Sequence, residues 1–160
     1  MNYQKDIINR RIYEKVIICL CLVFSLFMIS GCGVNGSAKG KEKFADLSYH
    51  KPGGFTDELT IKDDADKKIL SYLFKEDSTG ISMNYLKGED YSYVEELYSQ
   101  EPSEKKINGT TWRVLEDDSL GVKSTFYYTI HDGALYYIEL NGIDKYPNEF
   151  DSFIKEVEFE

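Results

Sequence analysis

The feature that most constrains this 160-residue chain is an uncharged, apolar run near its N-terminus, residues 16–28, which leads into Ile29, Ser30, Gly31 and Cys32. Four basic and two acidic residues precede the run, so a positive segment comes before an apolar one. At 13 residues the run is shorter than the roughly 20 that a helix needs to cross a bilayer. The pattern therefore predicts an export signal rather than a permanent membrane span.

The order of positive segment, apolar core, small residues and cysteine resembles that of a bacterial lipoprotein precursor, with Ile29 to Cys32 as the lipobox. The resemblance implies a diacylglycerol on the Cys32 thiol, which would be the only non-protein group. It also implies signal cleavage between Gly31 and Cys32 and a location on the extracytoplasmic face of the cell membrane. The alternative is an uncleaved anchor helix from about residue 12 to residue 28, with no special role for Cys32.

This segment also accounts for every cysteine in the chain, because Cys19 and Cys21 would leave with the signal and Cys32 would carry lipid. No disulfide and no thiolate metal site would remain, so the exported part must be stabilised by its core, for which 13 Tyr and 9 Phe are available. From Cys32 onward there are 15 basic and 26 acidic residues, a net charge of −11. Such a charge argues against a nucleic-acid partner.

Composition divides the chain into a signal peptide (1–31), a lipidated cysteine with a flexible glycine-rich tether (32–43) and one domain (44–160). Hydrophobic periodicity within the domain favours an α+β fold, with an antiparallel sheet of about five to seven strands and two or more helices. The predicted elements are a strand at 44–50, a loop or irregular edge at 57–68, a hairpin at 69–75 and 81–87, a helix at 91–100, a meander at 105–141, a helix at 147–156 and a last strand at 157–159.

The turn at Asp132 and Gly133 sets the register of the last hairpin. A two-residue loop would place Phe126 opposite Glu139, whereas a three-residue loop would place Phe126 opposite Ile138. The second register pairs apolar side chains with each other, so it is the one we predict. It also sets Tyr127 opposite Tyr137.

The order of elements over about residues 44–160 resembles that of a PsbP-like domain. The cues are Ile107, Asn108 and Gly109 before Trp112, the run GALYYIEL at 133–140 and the terminal FDSFIKEVEF. The resemblance implies an α/β/α sandwich. Members of that family act mostly as extrinsic binding or assembly factors and share no catalytic apparatus.

The predicted register suggests one candidate binding surface, with an aromatic centre and a polar rim. It would consist of Tyr127, Tyr137, Thr125, Thr129 and Arg113. If one face of the sheet is open, this patch suits a peptide, a sugar or another protein. If helices cover both faces, the tyrosines belong to the core.

Metal and catalytic sites are not predicted. Five acidic residues lie between 57 and 66, but a calcium loop starting at Asp64 would have Lys68 at its fifth position and Ile69 where glycine is required. His50 and His131 are the only histidines. A general-base role for His131 with Glu139 or Tyr137 has no spacing rule to support it.

The sequence therefore favours a lipid-anchored, non-enzymatic module that binds an envelope protein or a small ligand. Two alternatives stay open. One is a membrane-tethered hydrolase or other enzyme with an unrecognised active site, and the other is an accessory subunit of a membrane complex. Asn108, Gly109 and Thr110 also match a glycosylation acceptor, but the Asn-Gly turn is a sufficient explanation.

Overall fold

A computed structural model describes residues 40–55, 57–74, 79–118 and 121–160, all within a compact unit spanning Lys39–Glu160. The predicted signal segment and Cys32 lie outside the described residues. The described part has ten strands and two helices, which confirms the predicted α+β class. Neither helix there is long and apolar enough to cross a membrane.

Seven strands form one antiparallel sheet in the order β3-β4-β5-β9-β8-β7-β6. They are β3 (Asp57–Asp63), β4 (Lys67–Leu73), β5 (Gly80–Lys87), β6 (Ser103–Ile107), β7 (Thr110–Asp117), β8 (Ser124–His131) and β9 (Ala134–Asn141). The hairpin β4-β5 and the meander β6 to β9 confirm two predictions. Strand β3 occupies the segment predicted as a loop or irregular edge, and it is an edge strand whose pairing shifts between Thr60 and Lys62.

A smaller sheet has the order β1-β2-β10, with β1 (Glu42–Phe44), β2 (Leu47–Tyr49) and β10 (Glu158–Phe159). The strand predicted at 44–50 is thus a hairpin, because Ala45 adopts a positive φ of 51° and reverses the chain. Strand β1 begins at Glu42, inside the segment predicted as tether. The first and last strands share β2 as their neighbour.

The two helices are α1 (Ser92–Glu95) and α2 (Pro147–Glu156). The predicted helix at 91–100 is wrong in length, because only one turn forms before the chain lays Tyr98 against Phe126, with ring centroids 5.0 Å apart. Helix α2 has the predicted bounds. Pro147 opens it, and Phe150, Phe153 and Ile154 are its buried face.

The predicted register of β8 and β9 is wrong. Phe126 lies opposite Glu139, and Tyr127 lies opposite Ile138. Asp132 (φ 46°) and Gly133 (φ 76°) both adopt left-handed conformations, as in the two-residue turn whose twist matches that of the flanking strands. Turn geometry therefore outweighs the apolar pairing on which the prediction depended.

The sheet buries side chains on both sides. The side covered by α2 and the small sheet, here the α2 face, includes Tyr72, Met83, Trp112, Tyr127 and Ile138. The other side, here the α1 face, includes Leu86, Leu115, Phe126, Tyr128 and Leu135, packed with Val94 of α1 and the tyrosines that flank it.

Candidate functional site: a groove beside helix α2

The largest groove described lies between α2 and loop 50–54, and has a volume of about 380 Å³. The loop forms because β2 ends at Tyr49 and Pro52 cannot continue a ladder of backbone hydrogen bonds. Buried Pro52 and Phe153 line the groove with apolar surface. Its size falls in the range of small-molecule sites.

A histidine and a glutamate meet across the groove. The Nδ1 atom of His50 lies 2.7 Å from Oε2 of Glu156, and both side chains are about half exposed. This contact is an ion pair when the imidazole is protonated. It joins the end of β2 to the end of α2, and it leaves Nε2 of His50 without a carboxylate partner.

The loop wall carries a cation that is already paired. The Nζ atom of Lys51 lies 3.0 Å from Oε2 of Glu58 and 5.4 Å from the ring centroid of Tyr72. Beside it, Gly53 offers only backbone, because a Cβ built there would meet no atom within 4 Å. The groove is therefore open at Gly53.

The helix wall presents polar side chains at helical spacing. Glu149, Ser152 and Glu156 recur at i, i+3 and i+7, so they lie on one side of α2. Within the described part of the chain, Glu149 has no ion pair or hydrogen bond. This arrangement can bind a ligand by charge and shape, and the imidazole can accept a proton.

A second cavity of about 250 Å³ lies where the small sheet meets β3 and β4. The hydroxyls of Tyr49 and Tyr72 lie 2.8 Å apart, and Tyr72 donates to Glu42 Oε2 at 3.0 Å. Burial raises the pKa of both phenols, so they stay protonated donors. This cluster anchors β1, the point at which the chain enters the domain.

On the α1 face, Glu139 is a carboxylate without a cation. Burial, with a smaller contribution from Asp117, raises the pKa of Glu139 to about 7. The pKa of the adjacent Tyr137 is also raised, first by burial and then by the charge of Glu139. Among the described residues, no lysine, arginine or histidine pairs with Glu139.

The five residues of the predicted patch are not brought together. Tyr127, Thr125 and Thr129 project to the α2 face and are buried. Tyr137 and Arg113 project to the α1 face, where Arg113 pairs with Glu95 and its guanidinium carbon lies 4.0 Å from the Tyr91 ring centroid. Both tyrosines are part of the packing around the sheet.

The acidic segment of β3 is occupied by internal contacts. Asp63 lies 2.6 Å from Lys68 Nζ, and Asp64 lies 3.0 Å from Lys62 Nζ. Asp64 also accepts a hydrogen bond from the Lys67 backbone amide at 2.8 Å, closing the β3-β4 turn. The described residues contain no group of three or more side chains arranged to hold a metal ion.

His131 does not meet the partners considered for it. It stacks on Phe159 with ring centroids 3.9 Å apart, on the α2 face, whereas Glu139 and Tyr137 project from the other side of the sheet. Phe159 stacks on Trp112 as well. His131 therefore holds β10 in place.

No protein-family model, no curated protein and no solved structure matches this chain. The groove must therefore be interpreted from its own chemistry.

Proposed function

We propose that this protein is a bacterial lipoprotein, anchored through a diacylglycerol on Cys32 to the extracytoplasmic face of the membrane. The motif at residues 29–32, after a positive segment and an apolar run, supports the anchor. Two acyl chains hold a protein stably to a bilayer where one chain is marginal.

The tether length places the domain close to the membrane. Ten residues separate Cys32 from Glu42, and an extended chain spans at most about 3.3–3.6 Å per residue, or about 35 Å in all. Because Glu42 pairs with Tyr49, the chain enters β1 beside the start of loop 50–54. The groove would then be accessible to components of the inner cell envelope.

Replacing Cys32 with Ala tests the anchor. We expect Cys32→Ala protein to lose its lipid label and either stay as precursor or leave the membrane fraction. A Cys32→Ala protein that matures and fractionates like the wild type would refute the anchor.

The anchored domain is, in this proposal, a binding or accessory module whose ligand site is the groove beside α2. The single observation that carries it is a groove of about 380 Å³ with apolar Pro52 and Phe153 and an unpaired carboxylate at Glu149. An apolar surface with a few polar groups is the usual composition of ligand sites. The ligand is an envelope protein segment or a small molecule.

A photo-cross-linking amino acid at Ser152 tests this role in native membranes. Ser152 is exposed in the groove, and Ser99 is an exposed serine outside it. We expect a specific adduct from position 152, none from position 99, and loss of the adduct when Gly53→Val narrows the groove. Equal labelling at both positions would contradict a site in the groove.

The finer fold assignment, a PsbP-like α/β/α sandwich, is also part of the proposal. It is supported by an antiparallel sheet with α1 packed on one side and α2 on the other. Such domains act mostly as binding or assembly factors, in agreement with an accessory role. An experimental structure whose connectivity differed from that of PsbP-like domains would reject the assignment.

A hydrolase is the second candidate, favoured by the pair of His50 and Glu156. A carboxylate at Nδ1 orients an imidazole as a general base at Nε2, and Ser152 lines the same groove. Ester hydrolysis that His50→Ala abolishes, in protein of unchanged stability, would favour this enzyme. Hydrolysis at the background rate would favour the binding module.

A further inference from the structure

The charges of the groove are unequally satisfied. Glu156 faces His50 at 2.7 Å, and Lys51 faces Glu58 at 3.0 Å. Glu149 is the remaining charged group of the lining, and it has no ion pair within the described ranges. The groove therefore has a local excess of negative charge, as does the chain from Cys32 onward, with a net charge of −11.

The shape of the groove limits what can reach Glu149. The seven-residue step from Glu149 to Glu156 corresponds to about 10 Å along a helix, which is the length of about three residues of extended peptide. Opposite the helix, Gly53 leaves open space where any other residue would place a side chain. A narrow, extended ligand can therefore lie between α2 and the loop backbone.

Apolar surface accompanies the charge. Phe153 is 3% exposed and Pro52 is buried, and both line the groove. A lysine side chain combines an aliphatic stem with a cationic tip, so its stem can cover such surface while its ammonium reaches a carboxylate. Inorganic anions and acidic ligands would be repelled by Glu149.

Building on the binding function proposed above, we propose that the groove binds a short peptide segment through a lysine whose ammonium pairs with Glu149. The aliphatic stem of that lysine lies against Phe153 and Pro52. The peptide backbone runs along the side of the groove that Gly53 leaves free.

The experiment uses the full lipidated chain in detergent micelles and two fluorophore-labelled peptides, acetyl-Ala-Lys-Ala-amide and acetyl-Ala-Gln-Ala-amide. Fluorescence anisotropy gives the affinity of each peptide. We expect the lysine peptide to bind about ten-fold more tightly than the glutamine peptide, because a charge-assisted contact is added. The preference should weaken as salt is increased.

Glu149→Gln should remove the preference for lysine and leave the glutamine peptide unaffected. The matched control is Glu101→Gln, which removes one exposed carboxylate outside the groove and should keep the preference. Gly53→Val should weaken both peptides, and this position tolerates a side chain because no atom lies within 4 Å. Unchanged thermal unfolding of each variant confirms an intact fold.

Two results would overturn this assignment: equal affinity for both peptides, or an unchanged lysine preference in Glu149→Gln. If neither peptide binds while the Ser152 adduct persists and Gly53→Val abolishes it, the lysine assignment fails and the groove is still a binding site. If the peptides do not bind and the Ser152 adduct is also absent, the binding function itself fails.

Discussion

The two faces of the seven-stranded sheet are stabilised in different ways. On the α2 face, a ten-residue helix and a three-stranded sheet cover a continuous apolar and aromatic core. Its buried phenols have acceptors, since Tyr72 donates to Glu42 at 3.0 Å and Tyr136 donates to Asp46 at 2.6 Å. On the α1 face, the cover contains only a four-residue helix.

Electrostatics sharpen the contrast. The α1 face has one well-paired cation, Arg113 with Glu95, to which Tyr128 also donates at 3.0 Å. It also has Glu139, whose nearest recorded charge is the like charge of Asp117. The difference teaches that the α2 face supplies a rigid frame on which a groove can be built, while the α1 face makes stability sensitive to pH.

The largest expected effect breaks the packing of the α2 face. Phe150 is fully buried, with its ring centroid 5.9 Å from that of Phe55 and 6.5 Å from that of Phe74. Phe150→Ala should lower the free energy of unfolding by about 3–5 kcal/mol, measured by urea denaturation. The counterpart on the α1 face is Val94→Ala, which should cost about 1.5–2 kcal/mol because it removes two methyl groups. Equal losses would contradict the contrast between the two faces.

The second effect belongs to the α1 face and depends on pH. A carboxyl whose pKa is raised to about 7 in the folded state, from 4.5, binds a proton more tightly when folded. Stability is then greatest below about pH 4.5 and falls as pH rises, with the loss complete above pH 7. Glu139→Gln should remove this dependence and raise stability at pH 8 by at most about 3 kcal/mol.

Denaturation curves between pH 4 and pH 8 measure the Glu139 effect. The control is Glu116→Gln on β7, an exposed carboxylate with a lysine within 4.0 Å. Its removal should leave the slope with pH unchanged. A wild-type protein whose stability does not fall between pH 5 and pH 8 would show that Glu139 is not desolvated as described.

Elements with strong local signals could be predicted from the sequence. Helix α2 has the predicted bounds because Pro147 fixes its start and the buried residues Phe150, Phe153 and Ile154 recur at helical spacing. The meander followed from alternating runs separated by turn residues. Strand β3 was harder, since Asp57, Glu58 and Asp63 are unusual in strands and only an edge position tolerates them.

The candidate site could not be predicted, because its parts are distant in the chain. His50 and Glu156 are brought together by the packing of α2 on the small sheet, and no spacing rule connects them. The patch around Tyr127 failed for a local reason, because a one-residue change of register moves each side chain to the other face. The left-handed φ of Asp132 is the signal that favours the two-residue turn.

The smallest expected effect concerns the edge of the α2 face. The side-chain amide of Asn108 donates to the backbone carbonyls of Lys155 at 2.8 Å and Val157 at 3.0 Å, so the β6-β7 turn caps the end of α2. Asn108→Gly keeps the positive φ of 46° but removes both hydrogen bonds, and should cost about 1–2 kcal/mol. Asp132→Gly has the same φ of 46° in a turn without these helix contacts, so it controls for glycine itself. A larger loss in Asn108→Gly than in Asp132→Gly, measured by thermal unfolding, would show that polar capping as well as aromatic packing holds α2 against the sheet. Equal losses would leave the aromatic core as the sole source of the stability that distinguishes this face.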